Sequence, residues 1–172
     1  TMFEWPGAEH MVTGIPSLAS QLYDEHGYKK YTNEEMDALV QTFTPQQIRL
    51  FSAVAELHWL HRYREFLDWS VASRFNPNVN DAFLTQFASY IVTEQLAYNT
   101  YCHVSEAYLI AHMEQFKPYQ PAPLVMSHLT ASLFQQFQRD LQLNLDILYD
   151  YYEYMTQEDF EIIFDILSQE QL

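Results

Sequence analysis

The 172 residues carry a formal net charge of −15, from 23 acidic and eight basic side chains, and 48% of them are apolar. That apolar share excludes a disordered chain despite the charge, and the length suits a single domain, residues 1–172, with a proper core. A surface this acidic gains nothing from phosphate backbones or anionic lipids, which excludes direct nucleic-acid and membrane binding as expected functions.

Residues 1–31 read as a partly irregular N-terminal segment. Its first residues lack the basic and apolar blocks of a secretory leader, and no apolar run in the chain approaches the ~18 residues that cross a bilayer. A cytoplasmic, non-membrane protein is the resulting expectation. Within this segment Pro16 and Ser17 are placed to open a short helix through Leu18, Leu22 and Tyr23, with Gly27 closing it.

Thr32 followed by Glu35 is a capping box for a helix bearing Met36, Leu39, Val40 and Phe43. Thr44, Pro45 and Gln47 supply an N-cap, a first-turn proline and a box partner, and predict a long helix over residues 45–75. The run Asn76-Pro77-Asn78-Val79-Asn80 breaks it. A second long helix is expected over 80–116, a second breaker lies at 117–123, and a third long helix is expected over 124–155. Thr156 and Asp159 then cap a final helix with Phe160, Ile163, Phe164 and Leu167. Each long helix carries an apolar stripe, that of 124–155 running through Met126, Leu133, Phe134, Phe137, Leu141, Leu145, Leu148 and Tyr152, so the expected fold is an all-α antiparallel bundle of three long helices with shorter ones at both ends. Only three glycines are present, fewer than β-sandwich or dinucleotide-binding folds need for their turns. No internal repeat is evident.

One constellation could carry chemistry. His58, His61 and Glu65 share a stripe of the 45–75 helix with Phe51, Val54, Trp69 and Ala72. Glu94 sits in an aromatic stripe of the next helix, with Phe87, Tyr90, Tyr98 and Tyr101. A hairpin about Val79 brings Glu94 level with the His61–Glu65 turn, and imidazoles with carboxylates on facing helices suit Fe, Mn or Zn. The same residues also satisfy one another as a buried His–Glu–Tyr hydrogen-bonded network. The Glu-x-x-His step of carboxylate-bridged di-iron bundles is missing. Cys102 is the single cysteine, so an internal disulfide and a cysteine zinc cluster are excluded, and a small buried side chain is expected.

The charge is most lopsided at the end of the chain: from Asp140 onward there are nine acidic residues and neither Lys nor Arg. Such a surface either solubilises the protein or docks onto something basic. The leading expectation is therefore an acidic helical interaction or regulatory protein for a basic protein partner, meeting it through Asp146, Asp150, Glu153, Glu158 and Asp159. The alternative is a non-haem metal-binding bundle, of oxidase or oxygenase type, at His58, His61, Glu65 and Glu94. Self-association into a homodimer, through Tyr-rich faces and the separated Trp5, Trp59 and Trp69, is a third option.

Overall fold

The computed structural model describes the backbone of residues 8–170 and the side chains of residues 14–170; Trp5 lies outside the described residues. Among the described residues the chain is all-helical, with an isolated antiparallel bridge between Tyr23 and Lys29 in place of any strand ladder. Twelve α-helices follow in order: α1 (Ala8–Leu22), α2 (Asn33–Gln41), α3 (Pro45–Val54), α4 (Leu57–Arg62), α5 (Trp69–Phe75) and α6 (Asp81–Gln86). The second half holds α7 (Thr93–Leu96), α8 (Glu106–Phe116), α9 (Pro123–Met126), α10 (Ala131–Leu141), α11 (Leu145–Asp150) and α12 (Gln157–Glu170). None is long and apolar enough to cross a membrane.

The three long helices of the sequence expectation are not there. Residues 45–75 divide into α3, α4 and α5. Residues 80–116 divide into α6, a 3₁₀ turn at Ala88–Tyr90, α7 and α8. Residues 124–155 fall into the rest of α9, α10, α11 and a 3₁₀ turn at Tyr152–Tyr154. These breaks need no glycine, and short polar side chains restart four of the helices, whereas α4 and α7 start without a side-chain cap. Asp68 accepts from the Ser70 and Val71 amides, Ser105 from Tyr108, Thr130 from Leu133 and Asn144 from Ile147, each satisfying amides that a helix start leaves orphaned. Gln142, at φ 53°, ends α10 in the left-handed region. Pro16 lies inside α1 instead of opening it. Gly27, at φ 80°, makes the tight turn between Tyr23 and Lys29.

The boxes that were legible form as expected. Thr32 with Glu35 and Thr44 with Gln47 bond reciprocally, side chain to backbone. Thr156 accepts from the Asp159 amide and donates to its carboxylate.

The short helices stack in a row, α1 against α3, α3 against α5 and α5 against α7, and the Leu124 amide of α9 donates to Ala97 O at the end of α7. A repeated hydrogen-bond pattern locks this row. Ser52 Oγ accepts from the amide of Asp68, just before α5, and the Asn76 side-chain amide donates to Ser52 O and Ala55 O. One unit later Ser73 Oγ accepts from the amide of Val92, just before α7, and Asn99 donates to Ser73 O and Asn76 O. Each asparagine thus covers the carbonyls that the preceding helix leaves unpaired at its C-terminus. Ser52, Ser73, Asn76 and Asn99 are all fully buried. The offset of just over about twenty residues is at the short end of solenoid repeats. At the next step the backbone bond from Leu124 takes the place of the asparagine rung. An internal repeat is therefore present in the geometry, although the side chains around it differ.

A continuous apolar core runs along the stack, with Phe51, Phe83, Phe116 and Phe134 fully enclosed. The last helices close it: α12 packs on both α10 and α11, burying Ile163 and Leu167.

Candidate interaction surface

The two ends of the molecule distribute charge differently. In the first, Lys29 and Arg62 are matched locally by carboxylates. Arg62 forms a two-bonded fork with Asp37, both contacts at 2.7 Å, and the Tyr63 hydroxyl donates to the same carboxylate at 2.7 Å. The guanidinium, then the phenol, hold Asp37 down at about 2 from its ordinary 3.8. Glu56 gathers the Tyr23 hydroxyl at 3.0 Å, Lys29 Nζ at 3.0 Å and His58 Nδ1 at 3.2 Å. Lys29 also reaches His58 Nε2, at 3.1 Å. Burial, and then the Lys29 ammonium, push His58 below the usual histidine range, so a neutral ring donating through Nδ1 and accepting at Nε2 fits its neighbours. Burial and the bond to Glu56 raise Tyr23.

The four residues of the proposed metal constellation face different partners. His58 belongs to the cluster around half-buried Glu56 just described. His61 lies edge-on to Phe83 and Phe87, with centroids 5.1 Å away in each case. Glu65 is exposed and accepts from the Tyr90 hydroxyl at 2.5 Å, a surface bond without a histidine and so not the buried His–Glu–Tyr network expected as the alternative. Glu94 is exposed in the first turn of α7. Helix breaks at Ala55, Tyr63 and Ile91–Val92 remove the straight helices on which the level-matching depended. Among the described residues no group of three or more His, Cys, Asp or Glu side chains lies close enough to hold a metal ion. The expected aromatic stripe is also split: Tyr90 packs with both Phe87 and Trp69, whereas Tyr98 and Tyr101 are exposed. Arg64 stacks over Phe87 at 4.3 Å and donates to His61 O.

Cys102 is buried, and burial pushes its thiol up to about 12, so it stays protonated and unreactive in the fold.

At the other end, the proposed partner-binding acids lie on or beside α11 and α12. Asp146, Asp150, Glu153 and Glu158 are exposed. Asp159 is half-buried and occupied: it pairs with Thr156 and accepts from the Ala131 amide at 3.0 Å, tying α12 to the start of α10. Sequence reasoning placed Tyr152 in the buried stripe of a long helix; it is 53% exposed, like Tyr149. These two rings join Phe160 and Phe164 in a four-ring array. Phe160 stacks on Phe164 at 5.9 Å, Tyr149 contacts both at 5.9 and 6.4 Å, and Tyr152 meets Phe160 at 6.5 Å. An open cleft of about 430 Å³ between Tyr152, Met155 and Phe160 adjoins it. Alternation of rings with acids was the available signal for this surface.

No family model matches the chain, no curated protein matches it in sequence, and no solved structure matches it in fold.

Proposed function

We propose that this chain is a protein-interaction module that binds a basic polypeptide partner through its C-terminal helices. The observation that carries this reading is the exposure of Asp146, Asp150, Glu153 and Glu158 in a stretch of chain without a single Lys or Arg. Charges matched nearby contribute little outward field, whereas unmatched ones of one sign steer an oppositely charged partner. The stacked architecture supports the reading too, because rows of short helices present long surfaces suited to polypeptide recognition.

The test uses the full chain and an oligo-lysine peptide, with association followed by stopped-flow fluorescence at increasing salt. The on-rate is expected to fall by about tenfold or more between low and physiological ionic strength. Neutralising Asp146, Asp150, Glu153 and Glu158 to their amides should abolish most of that slope. Neutralising Glu25 and Glu34, which are exposed at the other end, should leave most of it. Equal losses per charge neutralised in the two sets would reduce the effect to net charge and sink the localised surface.

A further inference from the structure

The α11–α12 surface is an apolar face before it is an acidic one. Its rings are organised in a particular way: each of the four is followed immediately by a carboxylate, in the pairs Tyr149-Asp150, Tyr152-Glu153, Phe160-Glu161 and Phe164-Asp165. On a helix the following residue lies about 100° round the axis, so the acid stands beside the ring instead of over it. All four acids are exposed, while Phe160 and Phe164 are half-buried, Phe160 in contact with both tyrosines and Phe164 with Tyr149. The result is a row of flat aromatic surfaces edged by carboxylates, with no cation of the chain's own near it: no cation–π contact involves these rings among the described residues. Elsewhere the protein does place cations on rings, with Arg64 over Phe87 and Lys29 over Trp59.

We infer that this face is an arginine-reading surface: it takes guanidinium groups of a basic segment flat against Tyr149, Tyr152, Phe160 and Phe164, with the neighbouring carboxylates accepting their N–H bonds. The inference rests on the basic-partner reading above and adds the side chain that is read. A guanidinium suits the site better than an ammonium on two counts. Its plane stacks on a ring while its edge remains free for a two-bonded fork to a carboxylate, and it is less tightly hydrated, so it loses less on leaving water. Charge complementarity selects the occupant. A second copy of the same face would set carboxylates against carboxylates, and an anionic lipid surface would be repelled for the same reason.

Binding of an oligo-arginine and an oligo-lysine peptide of equal length to the full chain, by titration calorimetry at low salt, separates the possibilities. The arginine peptide is expected to bind at least about fivefold more tightly, the gain from a few exposed cation–π contacts. Tyr149→Ala with Tyr152→Ala should remove that preference while leaving lysine-peptide affinity nearly unchanged, and both side chains are exposed enough to lose without unfolding. Phe160→Leu with Phe164→Leu keeps apolar bulk and should lower the preference in the same direction. Glu153→Gln with Asp165→Asn should weaken both peptides. Equal affinity for the two peptides, or a preference that survives both ring pairs, overturns the arginine inference and leaves the basic-partner reading standing. Binding of neither peptide at low salt overturns both.

Discussion

The middle of this molecule and its C-terminal end use polar side chains in opposite ways. Between α3 and α8 the decisive polar groups are neutral, fully buried and satisfied: Ser52, Ser73, Asn76 and Asn99 stitch one helix pair to the next. In α11 and α12 the polar groups are mostly charged and exposed, and the rings beside them remain partly uncovered. Buried neutral amides can finish every hydrogen bond inside the chain, which makes them architecture. Exposed carboxylates beside open rings have their bonding capacity left over, which makes them available to a partner. The contrast predicts that substitutions in the middle will act on stability, and substitutions at the end on binding.

The sharpest way to break that contrast is at Asn99. Its amide donates to Ser73 O and Asn76 O, and its oxygen accepts from the amides of Tyr101 and Cys102 at 2.8 and 3.0 Å. Asn99→Asp keeps the shape and the acceptor but replaces the donor with an oxygen facing two carbonyls. A loss of about 3 kcal/mol or more is expected from the unsatisfied buried groups, read from the urea midpoint. Asn99→Ala should cost a similar amount, and Asn76→Ala slightly less than Asn99→Asp. Ser73→Ala, which strands only the Val92 amide, should cost about 1–2 kcal/mol. If Asn99→Asp is neutral, the repeated rung is incidental to the stack.

A smaller effect should appear in acid. Asp37 is held at about 2 by Arg62 and Tyr63, below its ordinary 3.8. A lowered carboxylate contributes stability that is present in full above its unfolded value and is lost as pH falls through the folded one. Thermal midpoints of the wild type should therefore drop between about pH 4 and pH 2 more steeply than those of Asp37→Asn. Parallel curves would show that the Arg62 fork, on an exposed pair, does nothing for the fold.

Much of the fold's character, though not its path, was legible in the sequence. The capping boxes at Thr32 and Thr44 and the breaker at Asn76–Asn80 announce themselves because they combine a cap residue with a partner at fixed spacing or with a proline. The breaks at Ala55, Tyr63 and Val92 do not, since alanine, tyrosine and valine are tolerated in a helix and long-range bonds decide the outcome. Ala55 turns because its carbonyl is claimed by Asn76 and Asn78, both distant in sequence. Asp68, Ser105, Thr130 and Asn144 are of the residue types that cap helices, but apolar periodicity runs through them and suggests continuity, so none of them is read as a cap from the sequence. That periodicity was still informative about burial: Met126, Leu133, Phe134, Leu141 and Leu148 are all fully buried even though three helices share them. The proposed metal constellation depended on unbroken helices, and the breaks send its residues to separate neighbours. The acidic C-terminal surface needed only the order of residues, and the rings that edge it were hidden by assigning Tyr152 to the core.

Asp159 and Glu158 offer the finest division between architecture and partner surface, because they are adjacent and carry the same charge. Glu158 is exposed, with no basic side chain nearby in the chain, and its loss should change stability by less than about 0.5 kcal/mol. At low salt the small change from Glu158→Gln should be stabilising, because it relieves repulsion among like charges. Asp159 accepts from the Ala131 amide and pairs with Thr156, so Asp159→Ala should cost about 1 kcal/mol, in the range of a lost helix cap. Their effects on basic-peptide association should run the other way, with Glu158→Gln reducing salt-sensitive binding more than Asp159→Ala. A thermal melt and one binding curve for each variant decide the matter. If both residues move stability and binding equally, charge alone, and not the bonding capacity each has left over, governs this surface.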